Sequence, residues 1–212
     1  MVYWTSYYIF KFIIKVFFRG KCYNQNNLPK KGPFVGIINH NSLLDIPAMA
    51  LVVRQRATTM VKHTLFEVPI LGWWLRKVHM FPIIRDGSDQ EAFQKALEFL
   101  KTGYVVYMAP EGTRKHNPAN PPRARTGFVR LAQMADCPVV PIAIRGTRKA
   151  LPPGARFPRF VKVTANVGKP IRLEKVEVDP KNRDILQQQA TDAMQHVYRL
   201  LEDLAEMTNN KN

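Results

Sequence analysis

The stretch FVGIINHNSLLDIP, residues 34–47, runs from an apolar segment through polar residues to a proline. Its first half is continuously apolar, which predicts a buried strand, and polar side chains follow directly. Proline is tolerated only in the first turn of a helix, so Pro47 places the start of the next helix near Asp45 or Ile46. The stretch therefore predicts a strand, a polar loop over residues 39–44, and a helix.

His40 and Asp45 are the chemically informative residues of this stretch. Five residues of continuous helix turn a side chain by about 500°, so the two could not face each other within one regular helix. With His40 placed before the helix, the loop can fold the imidazole back toward the carboxylate. A carboxylate on one ring nitrogen leaves the other free to take a proton, as a general base requires. The alternative is that Asp45 only caps the helix and His40 is an ordinary loop residue.

A second apolar run ends in a similar way, in YVVYMAPEGTR, residues 104–114. Gly112 allows the backbone to approach a ligand closely, Arg114 can bind phosphate bidentately, and Glu111 can accept from a hydroxyl. The alternative is a solvated Glu and Arg pair in a surface loop. The repetition of one design at two strand ends favours a functional site.

Short apolar runs alternate with helical patterns along the chain, and 212 residues suit one domain. We therefore expect an α/β fold, a single domain with a mixed, largely parallel sheet flanked by helices. In such sheets functional sites collect at strand ends. Helices are predicted from the Ser88 and Glu91 capping box to Gly103, over roughly 124–135, and from Asp179 to about Met207. Further strands are predicted at 58–61, 79–84, 104–108, 138–144 and 160–167.

The charge balance points to an anionic partner. Thirty-two Lys and Arg stand against 16 Asp and Glu, a formal net charge of +16. Nucleic acid, an anionic lipid surface and phosphorylated small molecules all fit this sign. Nucleic acid is disfavoured, because no recognised module is present and the basic residues are not concentrated on one recognition helix. The histidines and the two cysteines lack metal-ligand spacing, so no metal site is predicted.

Residues 2–18 are dense in aromatic and branched apolar side chains, with Lys11, Lys15 and Arg19 recurring every four residues. This pattern is typical of a helix that lies in a membrane interface. The lysines interrupt the apolar run before it reaches the roughly 18–20 residues that a bilayer span requires. We therefore expect residues 1–20 to form an amphipathic membrane-associating helix. The alternative is a core helix whose lysines reach out to solvent.

Four ordered blocks make the chain resemble the glycerophosphate acyltransferase family, most of all its bacterial 1-acyl-sn-glycerol-3-phosphate acyltransferases. The first block is the NHxxxxD pattern of residues 39–45, and the second is FPIIR, residues 81–85. The third is EGTR, residues 111–114, and the fourth is the apolar strand VPIAI, residues 140–144. Their order and spacing agree over about 110 residues, which is far more specific than any single block. The resemblance makes residues 21–212 an acyltransferase domain.

The resemblance implies a role for each matching residue. His40 would deprotonate the sn-2 hydroxyl of lysophosphatidate, Asp45 would orient His40, and the alkoxide would attack an acyl thioester. Phosphatidate would result, without a covalent acyl-enzyme and without a bound cofactor or metal. The acceptor would be bound by Arg85, Glu111, Gly112 and Arg114, and Lys62 is added because family members often carry a basic residue there.

The resemblance also implies the partners: a membrane lipid surface, lysophosphatidate, and acyl-CoA or an acyl carrier protein thioester. The expected location is the cytoplasmic face of a membrane, with peripheral or monotopic attachment. Glycerol 3-phosphate or a lysophospholipid is the alternative acceptor. From a different class, the chain could be a non-catalytic basic membrane-binding protein, although such a relative would be expected to have lost His40 or Asp45.

Overall fold

The computed structural model describes residues 1–84, 90–113 and 122–209. Short 3-10 turns lie at 25–27, 49–51, 63–65 and 180–182. The helices are α1 (Val2–Phe17), α2 (Asp45–Ala48), α3 (Pro69–Lys77), α4 (Gln90–Lys101), α5 (Gly127–Ala135), α6 (Thr147–Ala150) and α7 (Arg183–Asn209). The strands are β1 (Lys21–Tyr23), β2 (Val35–Ile38), β3 (Ala57–Lys62), β4 (Phe81–Ile83), β5 (Val105–Met108), β6 (Val139–Arg145) and β7 (Thr164–Val167).

Within these residues seven strands form a sheet in the order β1-β7-β6-β2-β5-β3-β4. The five strands from β6 to β4 are mutually parallel, β7 is antiparallel to β6, and β1 is parallel to β7. The carboxyl ends of the five parallel strands therefore share one edge. The start of β7 lies at the same edge, because Arg145 pairs with Thr164. The predicted α/β fold with a mixed, largely parallel sheet is confirmed.

Apolar side chains alternate between the two faces of the central strands, as the pleat requires. On β5, Val105 and Tyr107 enter the core cluster that includes Ile14 of α1, whereas Val106 enters the cluster that includes Phe128 of α5 and Met194 of α7. Helices cover both faces of the sheet. This double covering explains why the strands are continuously apolar.

Most of the predicted elements are present, with shifted ends. The strand predicted over 160–167 begins only at Thr164, because residues 157–160 are exposed and stay outside the sheet. Helices α3 and α6 and strand β1 were not predicted. The helix predicted from Ser88 is described from Gln90 onward, and its proposed Ser88 cap lies outside the described residues.

Helix α1 packs one face on the domain and exposes the other. On its inner face the Tyr7 hydroxyl donates to the Val53 carbonyl at 3.0 Å, and the Ser6 hydroxyl accepts from the Trp74 indole at 2.9 Å. Its outer face exposes the large apolar side chains of Tyr8, Ile9, Phe12, Val16 and Phe17. None of the helices formed by the described residues combines the length and apolar character needed to cross a membrane.

Candidate active site

The loop after β2 brings His40 and Asp45 together. Helix α2 begins at Asp45, as Pro47 predicted, and leaves residues 39–44 outside regular structure. The carboxylate oxygen Oδ2 of Asp45 lies 2.8 Å from His40 Nδ1. The same oxygen accepts from the backbone N–H groups of Asn41 at 2.8 Å and Ser42 at 2.9 Å. The loop therefore closes around one carboxylate oxygen.

Burial distinguishes the two members of this pair. The Asp45 side chain is completely buried, whereas the His40 side chain keeps 14% of its surface exposed. A carboxylate can only accept, so the hydrogen on the ring belongs at Nδ1. Nε2 is then the unprotonated nitrogen that can take a proton from a hydroxyl. This is the orientation that a general base needs.

Neighbouring strands bring Glu111 to the same place. In the register of β2 and β5, Ile37 pairs with Met108, so His40 and Glu111 both lie three residues beyond this pair. Glu111 is buried, and its Oε2 accepts from the His40 backbone N–H at 2.7 Å. The Glu111 carboxylate thus fixes the backbone of the loop that carries the base.

The C-terminal helix α7 reaches the site through Tyr198. Its hydroxyl donates to Glu111 Oε1 at 3.2 Å. Burial, followed by the neighbouring Glu111 charge, raises the pKa of Tyr198 far above its usual value. The hydroxyl therefore keeps its proton and remains a donor throughout the physiological pH range.

Gly112 lies between this network and a basic side chain. Its φ is +66°, a conformation that favours glycine, and a Cβ there would lie 2.5 Å from Arg125 Nε. The Arg125 backbone N–H also donates to the Pro110 carbonyl at 3.0 Å. The Arg125 guanidinium therefore packs directly against the backbone of the EGTR loop.

A third strand end completes the edge. The buried Asn39 amide donates to the Ile144 carbonyl at 2.9 Å and accepts from the Ile144 N–H at 2.7 Å. The Ser42 hydroxyl donates to the Leu151 carbonyl at 3.0 Å. These bonds attach the His40 loop to the end of β6 and to the segment that follows α6.

The remaining predicted site residues have a less complete description. Lys62 is exposed at the end of β3, where it pairs with Ile83, so it lies on the same edge of the sheet as His40. Arg85 and Arg114 lie outside the described residues, as do residues 115–121, which follow the EGTR block. Among the described residues no group of three or more His, Cys, Asp and Glu side chains could hold a metal ion.

An apolar cavity of about 350 Å³ lies next to this edge. Ile38, Leu43, Ile46 and Pro47 line it, and these residues flank His40 and Asp45 in sequence. Its other walls come from the inner face of α1, the 3-10 turns at 49–51 and 63–65, β3, β5 and α3. They include Tyr3, Tyr7, Phe10, Ala50, Thr59, Val61, Leu65, Leu71, Trp74 and Tyr107.

Sequence reasoning missed three residues of the site. Asn39 was noted only as a letter of the first block, and neither Arg125 nor Tyr198 was singled out. Tyr198 follows Val197 in a helix whose apolar residues recur at the helical period, and burial of those residues in the core accounts for the pattern. The sequence around Tyr198 therefore does not indicate that its hydroxyl has a polar partner. Its role becomes visible only once α7 is packed on β6 and β2, where the Tyr198 hydroxyl reaches Glu111 in the loop after β5.

Comparison with known proteins agrees with the four blocks. A family model described as Acyltransferase matches residues 19–145. A 1-acyl-sn-glycerol-3-phosphate acyltransferase of Bacillus subtilis (strain 168) is 32% identical over 127 residues, 59% of this chain and 62% of that protein. A chloroplastic 1-acyl-sn-glycerol-3-phosphate acyltransferase of Arabidopsis thaliana is 31% identical over 156 residues, 72% of this chain and 43% of that protein. The match thus spans only about two fifths to three fifths of these relatives' length.

A solved structure shares the fold. The structure of PlsC, a 1-acyl-sn-glycerophosphate acyltransferase from Thermotoga maritima, superposes with a TM-score of 0.67 at 23% identity, over 91% of this chain and 80% of that chain. The family resemblance drawn from the four blocks is confirmed. Because the family model covers more than half of the sequence, this chain belongs to the Acyltransferase family.

Proposed function

We propose that this protein transfers a fatty acyl group from an acyl thioester to the sn-2 hydroxyl of lysophosphatidate, which gives phosphatidate. The observation that carries this proposal is the 2.8 Å contact between His40 Nδ1 and the buried Asp45 carboxylate, next to an apolar cavity that Leu43, Ile46 and Pro47 help to line. The named activities of the similar proteins support the choice of substrates.

The proposed reaction follows from the orientation of His40. Nε2 takes the proton of the acceptor hydroxyl as its oxygen attacks the thioester carbonyl. Asp45 stabilises the imidazolium that forms. When the tetrahedral intermediate collapses, the C–S bond breaks and the imidazolium returns the proton to the leaving thiolate. Acceptor and donor react directly, so the step needs no bound cofactor and no acyl-enzyme.

The acceptor is proposed to lie along the carboxyl edge of the sheet. Its phosphate would be bound by Lys62, Arg85 and Arg114, and the glycerol would rest against Glu111 and Gly112. Arg125, packed against Gly112, adds a guanidinium at this place. Guanidinium groups bind phosphate with two parallel hydrogen bonds, which favours a phosphomonoester over an uncharged acceptor.

The 350 Å³ cavity is proposed to hold the acyl chain of the donor. Its lining is almost entirely apolar and includes residues that flank His40 and Asp45 in sequence. Transfer of a hydrocarbon chain from water into such a space is favourable by about 0.8 kcal/mol per methylene group. Acyl-CoA and acyl carrier protein thioesters both present such a chain.

We further propose that the protein works at the cytoplasmic face of a membrane, attached peripherally or monotopically. In this arrangement residues 1–20 form the membrane-associating helix and residues 21–212 the acyltransferase domain. The exposed apolar outer face of α1 supports the attachment. Lys15 and Arg19 beside this face suit anionic lipid headgroups.

The test is an assay of thiol release from acyl-CoA or acyl carrier protein thioester, with purified protein and dispersed lysophosphatidate. Release that depends on the acceptor and falls about 10²-fold or more in His40→Ala would support the proposal. Parallel assays with glycerol 3-phosphate and a lysophospholipid compare the alternative acceptors. Equal release from wild type and His40→Ala would refute the general-base role, and no release with any acceptor would favour a non-catalytic membrane-binding protein.

A further inference from the structure

The segment after α6 exposes two aromatic side chains at the surface of the domain. Residues 152–160, PPGARFPRF, form what we call the Phe157 loop. Phe157 is 82% exposed and Phe160 is 62% exposed. Arg156 and Arg159 directly precede them and are exposed as well. Large apolar side chains that protrude in this way between arginines are characteristic of an interaction surface.

The loop is held at both ends. At its start, the Leu151 carbonyl accepts from Ser42 of the His40 loop at 3.0 Å. At its end, the Phe160 ring packs on Phe17 and Phe18, with centroid distances of 5.5 and 5.6 Å. The Arg159 N–H also donates to the Ala150 carbonyl at 2.6 Å. The loop therefore packs on α1 at one end and is hydrogen-bonded to the loop that carries His40 at the other.

Gly146 fixes where this segment leaves the sheet. Its φ is +97°, and a Cβ there would lie 2.1 Å from the Lys162 carbonyl oxygen. The chain before α6 thus touches the chain after the Phe157 loop, so the loop leaves and rejoins the domain at nearly the same place. That place is the edge at which Arg145 pairs with Thr164, the edge that also carries His40.

The sequence segments that form this region contain basic residues and no acidic ones. Residues 138–173 contain eight Lys and Arg and no Asp or Glu, and residues 1–44 contain six Lys and Arg and no Asp or Glu. These two segments supply the Phe157 loop and α1. Five of the 16 acidic residues instead lie on α7. The exposed aromatic side chains thus stand in sequence segments without acidic residues, which suits an anionic partner.

We propose that the Phe157 loop is a second lipid-binding element, which inserts Phe157 and Phe160 into the headgroup region of an anionic bilayer beside the outer face of α1. This inference rests on the proposed function, because it concerns how the domain meets a membrane-borne acceptor. With both contacts engaged, the part of the carboxyl edge from which the Phe157 loop leaves the sheet lies close to the bilayer.

A bilayer fits this surface better than the other anionic partners. Ile9 and Val16 on α1 are aliphatic and cannot stack on nucleic-acid bases, whereas a headgroup region accepts aliphatic and aromatic side chains alike. The aromatic side chains also sit next to arginines, as they do in segments that lie at membrane interfaces. The same side chains and charges therefore favour lipid over nucleic acid.

The test is co-sedimentation of the full chain with vesicles of phosphatidylcholine, alone or mixed with phosphatidylglycerol. Phe157→Ser and Phe157→Ser/Phe160→Ser are compared with the control Met134→Ser/Ile185→Ser, which removes exposed apolar side chains from α5 and α7. We expect the double loop variant to bind mixed vesicles at least about tenfold more weakly than wild type, and the control to bind normally. Phe157→Ser alone removes a side chain that is 82% exposed, so its effect cannot be attributed to misfolding.

The arginines are tested separately. Arg156→Gln/Arg159→Gln should weaken binding to the mixed vesicles by about fivefold per arginine and leave binding to phosphatidylcholine alone unchanged. The charge-matched control Lys181→Gln/Arg199→Gln should bind as wild type. Unchanged vesicle binding in the loop variants would overturn the inference. So would binding of a single-stranded oligonucleotide that depends on Phe157 while vesicle binding does not.

Activity separates this inference from the proposed function. The loop variants should turn over a short-chain lysophosphatidate dissolved as monomers at the wild-type rate, and should lose turnover when the acceptor is embedded in vesicles. Absence of turnover in wild type with both acceptors would refute the proposed function, while vesicle binding would still report on the loop. Equal loss with both acceptors in the loop variants would overturn the lipid role.

Discussion

The Tyr198 hydroxyl donates to Glu111 Oε1 at 3.2 Å, and the other oxygen of this carboxylate accepts from the His40 backbone N–H at 2.7 Å. One buried carboxylate therefore joins the C-terminal helix to the loop that carries the proposed base. Burial of an acidic side chain is costly unless its oxygens are hydrogen-bonded, so both bonds stabilise the folded position of Glu111.

Tyr198→Phe removes one of these bonds and keeps the ring. We expect the KM for lysophosphatidate to rise by about threefold to tenfold while kcat changes less, because Glu111 is proposed to contact the acceptor and His40 itself is untouched. Steady-state kinetics with varied acceptor measure the split. Tyr104→Phe, at a half-buried tyrosine near the opposite edge of the sheet, is the control. A pure loss of thermal stability with unchanged KM would contradict a positioning role for Tyr198.

Asp45→Asn tests the orientation of the imidazole. An amide can present its NH₂ to Nδ1, which favours the tautomer that carries hydrogen on Nε2 and so blocks the base. We expect kcat to fall by about 10²- to 10⁴-fold with little change in either KM. Asp203→Asn, at an exposed aspartate, is the matched control and should leave kcat and both KM values unchanged. A kcat within twofold of wild type would leave Asp45 as a helix cap only.

The volume of the apolar cavity should set the preferred length of the acyl chain. Ala50 and Val61 both line it and are both buried. Ala50→Leu fills space and should shift the preference among acyl-CoA donors to shorter chains, whereas Val61→Ala enlarges the space and should shift it to longer ones. Competition among saturated donors of graded length measures kcat/KM for each. Identical profiles in both variants would show that the acyl chain binds elsewhere.

One buried and one half-buried thiol should make stability depend on alkaline pH. Burial raises the pKa of Cys22 and Cys137, each from 9.0 to about 11. Between about pH 9 and pH 11 the unfolded thiols ionise while the folded ones stay neutral, so the free energy of unfolding falls as the pH rises, by up to about 1.4 kcal/mol per pH unit for each thiol.

Urea unfolding at pH 8 and pH 10 measures this fall. The Cys22→Ala/Cys137→Ala variant should lose less stability than wild type over the same interval, because other alkaline groups such as tyrosines remain. An equal loss in both proteins would assign the whole pH dependence to those groups. At neutral pH the wild-type thiols should also react slowly with a disulfide reagent, since little thiolate is present.

The order of elements and the position of the proposed base could be predicted from the sequence, because both depend on local rules. Apolar period separates strands from helices, and Pro47 restricts where α2 begins, which leaves His40 in the preceding loop. The boundaries were less accurate where tertiary contacts override propensity. The strand predicted from residue 160 begins at Thr164, because Phe160 packs on α1 instead of joining the sheet.

The contacts that complete the site connect residues far apart in sequence. Asn39 and Ile144 are 105 positions apart, and Glu111 and Tyr198 are 87 apart. The first pair forms because the strand order places β2 beside β6, and the second because α7 packs on β6 and β2, close to the loop after β5. No local pattern encodes that order, because the pleat and the apolar period are the same for any arrangement of parallel strands.

The α/β class, the four blocks, the expected approach of His40 to Asp45 and the amphipathic character of α1 could be inferred from the sequence alone. Each of these depends on residues that are neighbours in the chain or follow one another at a helical or strand period. The Tyr198 contact, the apolar cavity and the packing of Phe160 on Phe17 are visible only in the folded structure. Those features arise where separate elements pack against one another, and packing is fixed by the whole fold rather than by any one segment.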